Sequence, residues 1–259
     1  MKLGISTACL YPMLAEEAAV FLAERQVPYL EFFANAYSEI GPAYLEKLRR
    51  QLDVLGTRVV SLHPFTSGLE PMLFFSRYER RLQEGFGLYR RFFEAAAILG
   101  AEVLVFHGDN PGDWPPEGEA FDRFGKLALI GREYGVTLAQ ENVVRCRSKD
   151  IGFLTRMKAH LGELAAFTLD VKQAKRAGHS FWDYLEPLGE SVRHIHLSDA
   201  DAGSDCLPVG KGTEDLAALF AWLKKTDYKG GVVMELYQES YGSTDELAAG
   251  LSVMRQLAE

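Results

Sequence analysis

Glu141, Asp170, His196 and Glu235 are the residues of this chain whose types and spacing point most directly to chemistry. Intervals of 29, 26 and 39 residues separate them, so four consecutive strand–helix units can each deliver one side chain to a common point. Three carboxylates gathered in one place repel one another, and their pKa values rise unless a cation sits among them. A divalent ion removes that conflict, and three oxygens with one imidazole nitrogen suit Mn²⁺, Co²⁺, Mg²⁺ or Zn²⁺. The bland alternative is four unrelated buried polar groups, each paired with a neighbour. Against it, all four occupy matching positions at the ends of short apolar runs.

Those runs alternate with longer amphipathic stretches, the pattern of βα units around a parallel sheet. The predicted strands are 2–7, 29–34, 58–64, 102–109, 136–142, 166–171, 192–199 and 231–237. Ser76-Arg77-Tyr78-Glu79 and Ser243-Thr244-Asp245-Glu246 have the capping-box form that opens a helix. Gly56 and Gly100 stand where helices should stop. Residues 85–100, with their run of aromatic and alanine residues, have the spacing of a core helix. Eight pairs in 259 residues fit an α/β fold of the (β/α)8 TIM-barrel type, with residues 1–259 forming one domain. An open doubly wound sheet is the alternative, but no Gly-x-Gly-x-x-Gly follows the first strand.

Such barrels place their active sites at the C-terminal ends of the strands. With a period of two, the last inward residues are Ser6, Glu31, His63, His107, Glu141, Asp170, His196 and Glu235. One inward step lower stand Gly4, Tyr29, Ser61, Val105, Ala139, Thr168, His194 and Val233. A polar cluster is therefore expected above a mostly small or apolar plug. His194 and His196 share a face, but the barrel separates them by depth. His196 belongs with the ligands, while His194 supports them from below.

The formal charge of −8 weighs against a nucleic-acid partner. No run approaches the roughly 18 apolar residues of a membrane span, and the N-terminus lacks the form of a signal peptide. Cys9, Cys146 and Cys206 are an odd number at no metal-ligand spacing, which favours free thiols in the cytoplasm.

The segments SLHP, VFHGD, QEN, LDVKQA, HIHLSD, GKGTED and VVMELY resemble those of the xylose isomerase-like barrels. That family holds sugar isomerases and epimerases, inosose dehydratase and the endonuclease IV type of DNA-repair enzyme. The resemblance implies Glu141, Asp170, His196 and Glu235 as metal ligands, with Glu141 and Glu235 also moving the substrate proton. It implies one divalent ion and a sugar or polyol substrate, isomerised or epimerised through a cis-enediolate. A dehydratase variant would follow the same abstraction with loss of hydroxide. His63 and His107 match two further ligands of the endonuclease branch, so a second ion there, and a dinuclear hydrolase, is a rival expectation. Gln173 and Leu207 replace two histidines that the trinuclear phosphodiester site requires, so DNA repair is disfavoured.

Several residues keep more than one reading. His63 and His107 are second-metal ligands, substrate contacts or structural histidines. Glu31 binds a sugar hydroxyl, holds a neighbouring histidine or forms a plain ion pair. Gln173 can hydrogen-bond a hydroxyl but cannot exchange a proton near pH 7. Lys172, Arg145, Arg147 and Lys211 receive an anionic substrate or are solvated loop charges. The loops 65–78 and 110–119 carry Phe65, Phe74, Phe75 and Trp114, which either cover the site and contact substrate or pack a homodimer interface. Asp199 orients a loop or a ligand.

Overall fold

The computed structural model describes residues 1–112 and 114–259, so Asp113 of the loop 110–119 lies outside the described residues. Eight parallel strands close into a barrel in sequence order: β1 Lys2–Ser6, β2 Tyr29–Ala34, β3 Arg58–Pro64, β4 Val103–Phe106, β5 Thr137–Glu141, β6 Phe167–Asp170, β7 Val192–Leu197 and β8 Gly231–Met234. The (β/α)8 expectation holds, and every predicted strand is present, β2 and β3 at the predicted bounds and the others trimmed by a few residues. Around them run α1 Ala15–Glu24, α2 Pro42–Leu55, α3 Glu70–Phe74, α4 Glu79–Leu99, α5 Glu117–Glu133, α6 Ile151–Leu161, α7 Val171–Arg176, α8 Phe181–Leu188, α9 Leu216–Lys225 and α10 Asp245–Ala258. Among the described residues, no helix is long and apolar enough to cross a membrane.

The alternating faces of the strands divide the interior as the sequence suggests. Outward side chains such as Ile5, Leu30, Leu62, Leu104 and Leu169 are buried against the helices. Tyr89, Phe92 and Phe93 of α4 are fully buried in that layer, as its core spacing predicts. Gly56 and Gly100 take left-handed conformations, with φ of 75° and 77°, and end α2 and α4. Only an unbranched Cα takes that conformation without strain.

The helix starts differ from expectation. Helix α4 begins at Glu79 with Tyr78 as its cap, and Ser76 Oγ accepts from the Tyr78 N–H outside the helix. At α10 only half a box forms: Glu246 accepts from the backbone N–H groups of Gly242 and Ser243, and Thr244 caps without its side chain.

Strand stagger tilts the ring of inward residues into a spiral. Glu141 pairs with Thr168 and Asp170 with His196, while His196 pairs with Val233, two residues before Glu235. Irregularities between Leu30 and Glu31, and between Phe167 and Thr168, restore Glu31 and Asp170 to register with their neighbours. At the bottom, Gly4 pairs with Tyr29, and a Cβ at Gly4 would lie 2.3 Å from the Tyr29 carbonyl oxygen.

Gly4→Ala should therefore cost about 3 kcal/mol or more through overpacking against fixed backbone. Gly56→Ala, which meets no neighbour within 4 Å, should cost about 1–2 kcal/mol from its left-handed φ alone. Urea unfolding of both variants checks the ranking, and equal losses would refute it.

Candidate metal centre

The floor of the mouth is built on Glu31, which is 0% exposed. Ser61 Oγ at 2.8 Å, Ser6 Oγ at 3.1 Å, His194 Nε2 at 3.1 Å and His196 Nε2 at 2.9 Å all reach its carboxylate. Burial raises the Glu31 carboxyl, and His196 and His194 more than reverse that, holding it well below the usual range. Of the three readings of Glu31, the structure realises the one in which it holds neighbouring histidines. His194 lies beside it, and its Nδ1 has no partner, because Gly231 leaves only bare backbone opposite. Burial lowers the His194 pKa, so the ring stays neutral and donates from Nε2.

With Nε2 engaged below, His196 turns Nδ1 up toward three carboxylates. Glu141 Oε1 lies 3.4 Å away, Glu235 Oε2 3.6 Å and Asp170 Oδ2 3.8 Å. The four residues singled out by spacing thus converge on one nitrogen. Burial would lower the His196 pKa, and Glu31 and Glu235 more than reverse it. Burial pushes Asp170 up to about 6, opposed by Lys172. Glu141 and Glu235 are also pushed up by burial, but His107 and Lys172 respectively bring them below the usual range.

The donor set fits a divalent ion. Glu141, Asp170 and His196 offer ligand atoms that all lie within 4.8 Å of one another. Glu141 Oε2 and Asp170 Oδ2 are buried without a hydrogen-bond partner. Each has a nitrogen in range, His107 Nε2 at 2.8 Å and the Lys172 ammonium at 3.1 Å, but neither contact has hydrogen-bond geometry. Oxygens left in that condition are the kind a metal satisfies.

A second cluster adjoins the first through Glu141. His63 Nε2 stands 2.9 Å from His107 Nε2 and 3.9 Å from Glu141 Oε2. His63 Nδ1 bonds to the Pro64 carbonyl, which puts its proton there and leaves the Nε2 lone pair facing the cluster. Burial drops the His63 pKa to about 4. His107 receives Arg145 at Nδ1, so its proton sits on Nε2, the nitrogen that bonds to His63 Nε2. Arg145 is accordingly engaged with a histidine rather than free in its loop.

Three residues outside the predicted set hold the constellation in place. Gln140 donates its amide to the His107 carbonyl at 2.8 Å, and Asn142 exchanges two bonds with the Asp170 backbone, at 3.0 and 2.7 Å. The segment QEN therefore supplies one candidate ligand flanked by two backbone clamps. Glu70 of α3 is fully buried and accepts from the Gly108 N–H and the Tyr89 hydroxyl, with burial raising it to about 7. An isolated Gln, Asn or Glu carries no sequence signal for such a bond, because its partner is backbone or lies in another unit. Asp199 orients a loop: it accepts from the N–H groups of Ala200, Gly210 and Glu214.

The mouth opens into a cavity of about 540 Å³ lined by Tyr11, Phe33, Asn35, Lys172, Glu235 and Tyr237, among others. The predicted aromatic cover is placed differently. Phe74 and Phe75 are buried and pack on Phe106, Phe65 meets Tyr37 and Phe92, and Trp114 stacks under Arg77. They anchor their loops to the outer layer, and Tyr11, Phe33 and Tyr237 form the cavity wall. Gln173 accepts from the Val144 N–H at 3.0 Å. Arg147 pairs with Asp109 and with the Pro115 carbonyl, tying together the loops after β4 and β5. The three cysteines are free and buried, and burial raises Cys9 and Cys146 to about 12.

Residues 21–257 match the model of the xylose isomerase-like TIM barrel, and the chain belongs to that family. It is 24% identical over 283 residues to an uncharacterized protein of Mycobacterium leprae, covering 100% of this chain and 96% of that one. Among solved structures it is similar to a D-psicose 3-epimerase, with a TM-score of 0.82 and 15% identity over 100% of this chain and 99% of that chain. It is likewise similar to 3-keto-D-glucoside 4-epimerase from E. coli, with a TM-score of 0.78 and 18% identity over 99% of each chain. At such identities the likeness to these structures is one of fold.

The depressed pKa of His63 has a measurable consequence. In the unfolded chain this imidazole takes a proton below about 6.5, whereas the folded one resists until about 4. Stability of the metal-free protein should therefore fall as pH drops through that window, by about 3 kcal/mol from this group. His63→Asn should flatten the loss in urea melts between pH 7 and 4; an unchanged slope would refute the assignment.

Proposed function

We propose that this protein is a divalent-metal-dependent isomerase or epimerase of a sugar or sugar phosphate, working by proton transfer. The observation that carries the reading is the convergence of Glu141, Asp170 and Glu235 oxygens on His196 Nδ1, with two of the carboxylate oxygens buried and unpartnered. The fold shared with sugar epimerases supports a sugar as substrate. Glu141, Asp170, His196 and Glu235 would hold the ion, which when bound would polarise a ketone and its neighbouring hydroxyl as a Lewis acid.

Glu141 and Glu235 form the acid–base pair. Both are held below the usual carboxylate range, Glu141 by His107 and Glu235 by Lys172, and a carboxylate in its ionised form can accept a proton from carbon. They stand on β5 and just beyond β8, with β6 and β7 between them. One carboxylate, ionised, removes the proton from carbon, while the other, first protonated from solvent, delivers a proton either to the opposite face, which inverts the carbon, or to the neighbouring carbon, which moves the carbonyl; the first then releases its proton to solvent. Tyr11, Phe33 and Tyr237 line the cavity beside Glu235 and would keep water from it once a substrate fills the space. Gln173 is assigned as a substrate contact, with its amide nitrogen to offer a hydroxyl. Glu31 acts on the site through His196, and His194 supports Glu31 from the floor.

The cluster of His63, His107 and Glu141 supports a second reading, a hydrolase with two ions sharing Glu141. Metal analysis separates the two: about one ion per chain supports the isomerase and about two the hydrolase. Solvent deuterium should enter the carbon beside the carbonyl of a turned-over ketose, and Glu141→Gln or Glu235→Gln should slow that exchange about 10²–10⁴-fold. Exchange that survives both substitutions would remove the acid–base assignment. Glu31→Gln should weaken metal binding about 10–100-fold by releasing His196, as read by calorimetry.

A further inference from the structure

Lys172 is a group beside the candidate ligands that the proposed chemistry leaves without a task. It stands two residues after Asp170 on the first turn of α7, and it is 3% exposed. A lysine so close to an open mouth can extend its head into solvent. This one turns inward instead: Nζ lies 2.9 Å from Glu235 Oε2 and 3.1 Å from Asp170 Oδ2, with the Tyr237 ring centroid 5.1 Å away. The other two buried carboxylates are matched by imidazoles, Glu31 by His194 and His196, and Glu141 by His107 and His196. Asp170 and Glu235 share the ammonium.

We propose that Lys172 is a tethered cation that competes with the divalent ion for Asp170 and Glu235, lowering metal affinity while holding the metal-free mouth together. The inference rests on the reading of these residues as ligands. Two cations drawing on the same carboxylate oxygens repel each other strongly where water is excluded. The ion gains Asp170 and Glu235 fully only when the ammonium gives way. The four-carbon stem allows that movement, and the cavity beside Glu235, which Lys172 also lines, has room for the displaced head. A buried ion pair is weak evidence of a purely stabilising role, since an apolar side chain often stabilises as well.

Calorimetric titration of Mn²⁺ into wild type, Lys172→Met and Lys172→Arg, each first stripped with chelator, tests the proposal. Lys172→Met should bind at least about tenfold tighter than wild type. Lys172→Arg, which keeps the charge, should bind no tighter than wild type. Without metal, Lys172→Met should melt roughly 10 °C lower, and saturating Mn²⁺ should close most of that gap. If Lys172→Met binds Mn²⁺ as wild type does or more weakly, competition is overturned and the metal reading stands. If neither wild type nor either variant binds Mn²⁺, both are overturned. Should Lys172→Met not fold, Lys172→Arg decides, because tighter binding with the charge retained would overturn the proposal.

Discussion

The structure depends on gathering four carboxylates around one imidazole, Glu31, Glu141 and Asp170 buried and Glu235 partly exposed. An isolated carboxylate pays heavily for leaving water, and four together add mutual repulsion. Each charge therefore has a defined counter-charge within reach. Glu31 is the most completely matched, with four donors beneath the mouth. By fixing His196 Nε2 it also decides which nitrogen faces upward. Carboxylate–histidine pairs of this kind orient metal-binding imidazoles in general.

Around that centre, the βα loops are held by bonds from side chains to backbone. Gln140 fixes the carbonyl of His107, Asn142 fixes both backbone groups of Asp170, and Glu70 fixes the N–H of Gly108. Arg147 and Asp109 join two loops, and Asp199 gathers the turn that precedes α9. The donor atoms of the centre thus stand on strand ends whose adjoining backbone is already satisfied. Preorganisation of this kind is what proton transfer at carbon requires, since a small displacement of a base costs much of its rate.

The cavity side of the mouth is built differently from the carboxylate side. Its aromatic wall comes from segments after β1 and β8 and from Phe33 on β2, while the aromatic residues after β3 and β4 pack outward on Phe106, Phe92 and Arg77. Phe33 also stacks on His63 at 4.5 Å, so the cavity wall and the second histidine cluster are in contact. Lys172 joins the two sides, since it lines the cavity and touches two of the four convergent residues.

The eight strands, their order and their inward residues were legible in the sequence because the period-two alternation of a barrel strand is a local property. The same periodicity placed Glu141, Asp170, His196 and Glu235 at equivalent heights, one per unit. Both helices open within the segments that carry the capping pattern, but neither box closes, since a capping pattern is a local preference and its side chains bond other backbone groups. Glu70, Gln140 and Asn142 went unread because their partners are backbone groups in other units. The aromatic loop residues were misdirected for a related reason, as composition does not say which way a ring points. Sequence by itself determined which residues reach the mouth, through strand register and alternation. Only the tertiary structure decided which charge answers which, that Glu31 holds His196 from below and Lys172 ties Asp170 to Glu235, because those pairings depend on distances between strands that the chain order leaves open.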